Sequence, residues 1–243
     1  MNHPVAASDV PVSIKAVVFD MDGLMLNTED VFELAGQELL VRRGKQMTDR
    51  IRRRMIGRRP AEAFAALTEL TGITEPVEHL MHETREIFAE FAKVHLACMP
   101  GLFDLLDAIE DRQLLLAVAT SSPRDHMESL LSQFDLLKRF HTTLTSEDVI
   151  RGKPDPEIYL SAAERLNVEP SSMLVLEDSE AGTRAAVAAG AFVVAVPNRH
   201  TAFGDFSKAS MRINSLGSSE LHLLIAQTVV QPNDDSRRLD SKN

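Results

Sequence analysis

Four short stretches constrain this chain more than any other feature: Lys15–Phe19, Leu114–Ala119, Met173–Leu176 and Phe192–Val196. Each is apolar almost without interruption. A strand points successive side chains to opposite faces, so a run that is apolar at every position needs cover on both sides. Helical patterns alternate with these runs. Leu102, Leu105, Leu106 and Ile109 recur at helical spacing within Leu102–Arg112, and Pro156–Leu166 and Glu180–Ala189 also read as helices. Strand–helix alternation around doubly buried strands predicts an α/β class protein, with a Rossmann-like doubly wound parallel sheet at its core.

One segment breaks the alternation. Residues 28–97 contain no strand-like run and read as helices at Glu29–Arg42, Asp49–Met55, Pro60–Leu70 and Pro76–His95, with breaks at Gly44, Gly57 and Thr71–Gly72. This predicts a small all-helical cap inserted after the first strand. The expected organisation is a core of residues 14–27 and 98–230, a cap of 28–97, and polar tails at 1–13 and 231–243 that lack apolar periodicity and are expected to be flexible.

Of the 243 residues, 44% are apolar, enough to furnish a sizeable core. The formal net charge of −10 repels phosphate backbones and argues against a nucleic-acid partner. A single cysteine, Cys98, precludes an internal disulfide framework and fits a reducing compartment. No stretch has the pattern of a signal peptide or the roughly 20 apolar residues of a membrane span, so a cytoplasmic protein with no membrane partner is expected.

Polar residues concentrate where the apolar runs end. The first run leads into Asp20-Met21-Asp22-Gly23, and the third into Glu177-Asp178-Ser179. Ligands of open α/β sheets bind at the carboxyl ends of the strands. Carboxylates delivered there by two separate strands repel one another unless a cation lies among them. Hard oxygen ligands without a His or Cys cluster suit Mg²⁺. The second run ends in Thr120-Ser121-Ser122-Pro123, where hydroxyls and backbone N–H groups ahead of a helix can hold an anion. Lys153, between Gly152 and Pro154, is a cation placed in a rigid turn. Taken singly, these pieces also fit helix caps and ordinary turns.

In this order, the four pieces resemble the haloacid dehalogenase superfamily, subfamily I. Within it, the chain is most similar to the β-phosphoglucomutase-like group and its pseudouridine-5′-phosphatase-like phosphatases, over about residues 14–224. The resemblance implies a phosphoric monoester hydrolase, dependent on Mg²⁺, that acts on small phosphorylated metabolites of sugar-phosphate or nucleoside and pseudouridine monophosphate type. Asp20 would be the nucleophile that forms an aspartyl-phosphate, and Asp22 the general acid and base. Gly23, Thr120, Ser121 and Lys153 would bind phosphate. Asp20, Asp22 through its carbonyl, Glu177 and Asp178 would hold the metal, Glu177 either directly or through water. Asp22 also favours phosphate esters over halides, because an alkoxide needs a proton to leave and a halide does not. The protein is expected to be a monomer or homodimer.

Two alternatives stay open: a phosphosugar isomerase of β-phosphoglucomutase type, and a non-catalytic ligand-binding protein on the same scaffold. Mutase members carry a histidine where this chain has Phe32 and an arginine where it has Pro60. Asn27 replaces the acid usual in relatives at the probable hinge into the cap. The stretch from Val41 to Arg59 is strongly basic. Arg42 to Arg54 read as a solvated face, whereas Arg58 and Arg59, after Gly57, are expected to set substrate specificity.

Overall fold

The computed structural model describes residues 14–55 and 60–228. In chain order its elements are β1 (Ala16–Phe19), α1 (Thr28–Val41), α2 (Asp49–Met55), α3 (Pro60–Thr71), α4 (Val77–His95), α5 (Leu102–Asp111), β2 (Leu115–Ala119), α6 (Arg124–Ser132), β3 (Thr142–Leu144), α7 (Glu157–Leu166), β4 (Met173–Glu177), α8 (Glu180–Ala189), β5 (Phe192–Ala195), β6 (Met211–Arg212) and α9 (Ser219–Gln227). Both expected tails, Arg58 and Arg59 lie outside the described residues. The chain splits into two compact units, Leu26–Ala97 and the remainder.

The larger unit is built on one six-stranded sheet in the order β3-β2-β1-β4-β5-β6. Every neighbouring pair is parallel. The central strand is β1, with Val18 opposite Ala117 on one side and Val175 on the other. The chain winds outward to β2 and β3, then returns to β4 and winds the other way, so the topological switch point lies between β1 and β4. Ala16, Val18, Ala117, Ala119, Met173 and Val175 form one buried face with Ile158, Tyr159 and Ala162 of α7 and with Ala185 and Ala186 of α8. The alternate residues Val17, Phe19, Leu116, Val118, Leu174 and Leu176 are also buried, which is why these strands lack a polar face. The apolar pattern does not single out β3 or β6. Their sequences, Thr-Thr-Leu and Met-Arg, are short and partly polar because edge strands are only half covered.

Among the described residues, the smaller unit holds α1–α4 and no strand. Phe32 of α1 stacks on Phe88 of α4, with ring centroids 4.1 Å apart. Asn27 closes this unit at its ends. Its Oδ1 accepts from the Ala97 N–H at 2.7 Å and its Nδ2 donates to the His95 carbonyl at 3.2 Å. An aspartate, the residue the resemblance leads one to expect here, could not make the second bond. The solvated basic face expected from Arg42 to Arg54 needs correction at Arg43. Its side chain is only 14% exposed, and it binds both oxygens of Glu75, at 2.7 and 2.8 Å, together with Glu83 at 2.5 Å. Glu75, His79 and Glu83 lie close enough to share a cation, and the Arg43 guanidinium already fills that role. Among the described residues, no helix is long and apolar enough to cross a membrane.

Candidate active site

The loops at the carboxyl ends of β1, β2 and β4 converge at the switch point. Asp20 follows β1, Glu177 closes β4, and Asp178 comes next. All three are buried, and one carboxylate oxygen from each lies within 4.8 Å of the others. Lys153 arrives from the turn before α7, where the Lys153–Pro154 peptide bond is cis. Its Nζ donates to Asp20 Oδ1 at 2.5 Å, to Glu177 Oε1 at 2.6 Å and to the Ala119 carbonyl at 2.9 Å. The ammonium also lies 5.1 Å from the centre of the Tyr159 ring. Burial alone would push the Lys153 ammonium below the usual lysine range. Asp20 and Glu177 outweigh it and hold the pKa well above that range.

Glu177 is fully enclosed. Its Oε1 accepts from Lys153 and from the Tyr159 hydroxyl at 2.6 Å; its Oε2 accepts from Ser179 N at 3.2 Å and Ser179 Oγ at 2.9 Å. A carboxylate offers about four acceptor positions, and these four donors fill them. Burial, reinforced by the neighbouring Glu177, raises the Tyr159 pKa well above the phenol range, so its hydroxyl stays protonated and donates. On the opposite side Gly182 lies so close that a Cβ there would sit 1.7 Å from Glu177 Oε1.

Lys153 brings one positive charge to the two buried carboxylates it touches, Asp20 and Glu177. Burial pushes the Asp20 carboxyl well above the usual carboxylate range; Lys153 pulls it back, and Glu177 and Asp22 push it further up. A divalent cation among oxygen donors would reverse that push, and an all-oxygen donor set is the kind Mg²⁺ takes. The residues present therefore fit such an ion. Saturation of Glu177 by its own donors leaves Asp20 and Asp178 as the carboxylates better placed to meet it directly.

Asp22 faces the β2 loop. Its Oδ2 accepts from Ser122 Oγ at 2.7 Å and from Thr120 Oγ1 at 3.2 Å, while its Oδ1 is buried and accepts no hydrogen bond among the described residues. Thr120 Oγ1 also accepts from the Ser122 N–H at 3.0 Å. Ser121 is exposed; of the hydroxyls in this loop, those of Thr120 and Ser122 reach Asp22. Gly23 turns the chain with φ of 76°, in the left-handed region. Asn198, just past β5, donates to the Gly23 carbonyl at 3.0 Å and to Asp178 Oδ2 at 2.9 Å. Burial raises the Cys98 thiol to about 11, so it stays protonated at neutral pH and is no nucleophile.

The structure thus brings Asp20, Lys153, Glu177 and Asp178 together and sets Asp22 beside Thr120. Tyr159, Gly182 and Asn198 were not singled out from the sequence. Tyr159 is the only tyrosine of the chain, and a tyrosine within an apolar helical stripe needs a hydrogen-bond partner, which was the available signal. Asn198 follows a strand end, where the rule that located Asp20 also applies.

The family described as haloacid dehalogenase-like hydrolase matches residues 17–196 of this chain. A phosphorylated carbohydrates phosphatase of Thermotoga maritima is 36% identical over 181 residues, covering 73% of this chain and 82% of its own. A validoxylamine A 7′-phosphate phosphatase of Streptomyces hygroscopicus is 37% identical over 196 residues, covering 77% and 88%. Among solved structures, a Thermotoga maritima protein provisionally described as a beta-phosphoglucomutase superposes with a TM-score of 0.78 at 30% identity, over 88% of this chain and 100% of that one.

Proposed function

The chain belongs to the haloacid dehalogenase-like hydrolases and is a phosphoric monoester hydrolase, and from that premise we propose that it is a Mg²⁺-dependent phosphatase of small phosphorylated metabolites, sugar phosphates foremost. The observation that carries this reading is the buried cluster of Asp20, Glu177 and Asp178 around Lys153. A carboxylate nucleophile, a fixed cation and carboxylates able to hold a second cation are what attack on a phosphate ester requires. The two phosphatase relatives support a carbohydrate-like leaving group.

Asp20 attacks phosphorus, the bond to the leaving oxygen breaks, and an aspartyl-phosphate forms. Asp22 gives its proton to the departing alkoxide. It then takes a proton from the water that attacks the aspartyl-phosphate, which regenerates Asp20 and releases phosphate. The hydrogen bonds to Oδ2 hold the Asp22 carboxyl in place and leave Oδ1 to carry the proton. Thr120 and Lys153 bind the transferring phosphoryl oxygens, and Gly23 lets the loop approach them. Mg²⁺, when bound, neutralises charge on the phosphoryl group. It would be held by Asp20, Asp178 and the Asp22 carbonyl, while Glu177, its acceptor positions already filled, would hold Lys153 beside it. Arg58 and Arg59, outside the described residues, remain the candidates for substrate specificity.

Phosphate release from p-nitrophenyl phosphate and from a panel of sugar and nucleoside monophosphates, with and without Mg²⁺, tests this reading. Activity should require the metal and vanish in Asp20→Asn; metal-independent turnover, or full activity in that variant, overturns it. The structural likeness to a protein provisionally described as a beta-phosphoglucomutase keeps one second reading in view. Conversion of glucose-1-phosphate to glucose-6-phosphate would establish it, although Phe32 and Pro60 stand where mutases carry histidine and arginine.

A further inference from the structure

We propose that Asn198 is a positioning residue: its side-chain amide ties the loop after β1 to the carboxylate after β4 and so sets the geometry in which the site holds its divalent cation. The inference rests on the metal reading above and extends it to a residue on a third strand end. The orientation of the amide follows from its surroundings. Its Oδ1 faces two main-chain donors, the N–H groups of His200 at 2.7 Å and Thr201 at 3.2 Å. The nitrogen must therefore face the two acceptors, the Gly23 carbonyl at 3.0 Å and Asp178 Oδ2 at 2.9 Å. All four positions of a primary amide are matched, two donors to acceptors and two lone pairs to donors.

No close substitute fulfils the same set. Aspartate keeps both acceptor contacts but turns a carboxylate toward another carboxylate and a carbonyl. Alanine loses everything. Thr201 Oγ1 accepts from the Asn198 N–H at 3.0 Å, and the Asn198 carbonyl accepts from the Ala202 N–H at 2.9 Å, so the amide projects from a turn that is itself pinned. Asn198 is uncharged and adds nothing to the charge balance at Asp20. Its contribution is geometric: the Gly23 peptide directly follows the Asp22 carbonyl, and Asp178 is the carboxylate placed to meet the ion. Partners one shell out from a metal typically change its affinity by about 10–100-fold when removed.

The test is metal binding by the full-length protein without substrate, measured by titration calorimetry with Mg²⁺ and by the Mn²⁺ spin-resonance signal, together with the rise in melting temperature on adding Mg²⁺. Asn198→Ala should weaken the metal by about 10–100-fold and shrink that rise. Asn198→Asp keeps the turn's acceptor and should fold. It adds repulsion to the metal-free protein that a cation relieves, so its rise on adding Mg²⁺ should exceed that of the wild type. Thr201→Val, which disturbs the turn alone, should lower the melting temperature and leave metal affinity within about twofold. If Asn198 were merely structural, its two variants would melt lower, bind the metal as the wild type does and show an unchanged rise; that result overturns the proposal. Equal weakening by Thr201→Val also overturns it. A wild type that takes up neither ion overturns the metal reading itself, and this inference with it.

Discussion

Replacing Gly182 by alanine sets two opposing effects against each other, and the structure decides between them. In the first turn of α8, alanine is the better helix former by about 1 kcal/mol, so propensity alone predicts a more stable protein. The added Cβ, however, would lie 1.7 Å from Glu177 Oε1, 1.9 Å from its Cδ and 2.2 Å from Oε2. To restore an ordinary contact the carboxylate must retreat by roughly 1.2–1.7 Å, the margin between those distances and the 3.4 Å of normal packing. Glu177 is fully buried and held by Lys153, Tyr159 and Ser179. A hydrogen bond of 2.6 Å does not survive such a displacement. Each bond to a charged group contributes about 1.5–3 kcal/mol, so losing two costs about 3–6 kcal/mol. Propensity offsets about 1 kcal/mol of this, for a net loss of about 2–5 kcal/mol. Urea unfolding followed by circular dichroism, in EDTA to remove any metal contribution, measures it. Gly152→Ala is the control, because a Cβ there meets nothing within 4 Å and should change stability by no more than about 0.5 kcal/mol. If Gly182→Ala proved as stable as the wild type, Glu177 would not be held in the way its four donors imply.

Asp22→Asn should lower turnover of an alkyl phosphate by about 10²–10⁴-fold, and single-turnover phosphoryl transfer from p-nitrophenyl phosphate by less, because nitrophenolate leaves without a proton; equal losses would remove Asp22 from the acid role. Burial of Asp148 opposes its ionisation, but Arg165 and the Thr145 N–H and hydroxyl outweigh this and hold its pKa at about 2, below the ordinary 3.8. A carboxyl depressed on folding stabilises the protein above its unfolded pKa and loses that contribution as pH falls through the folded value. Asp148 should therefore contribute about 1–2 kcal/mol at neutral pH, fading between about pH 4 and pH 2, and Asp148→Asn should flatten acid unfolding over that window. Arg58→Ala or Arg59→Ala should cut kcat/KM for the best metabolite by about 10-fold while leaving acetyl phosphate hydrolysis nearly unchanged, since binding energy from the leaving group is absent there. Unchanged turnover of the metabolite in both variants would move the search for specificity to Glu29, Phe32 and Glu33.

The sequence by itself determined the α/β class, the parallel sheet and the helical insert, because those depend on local periodicity. Ala16–Phe19 and Met173–Leu176 are apolar at every position only because both faces of their strands are covered, and that cover leaves its mark residue by residue. Asp20, Glu177 and Asp178 were legible for the converse reason: an acid directly after such a run has left the hydrophobic layer at the end where ligands gather. Tertiary structure alone decided which partners those residues have. Nothing in the spacing of Lys153, 24 positions before Glu177 and 133 after Asp20, shows that one ammonium touches both. The same holds for Asn198, whose partner carbonyl at Gly23 lies 175 positions away, and for Arg43, which the helical pattern placed in solvent and the fold enclosed against Glu75 and Glu83. Strand order brings the ends of β1, β4 and β5 side by side, and that order is set by how the helices pack on the two faces of the sheet. It is a property of the assembled chain, and no local stretch of sequence carries it.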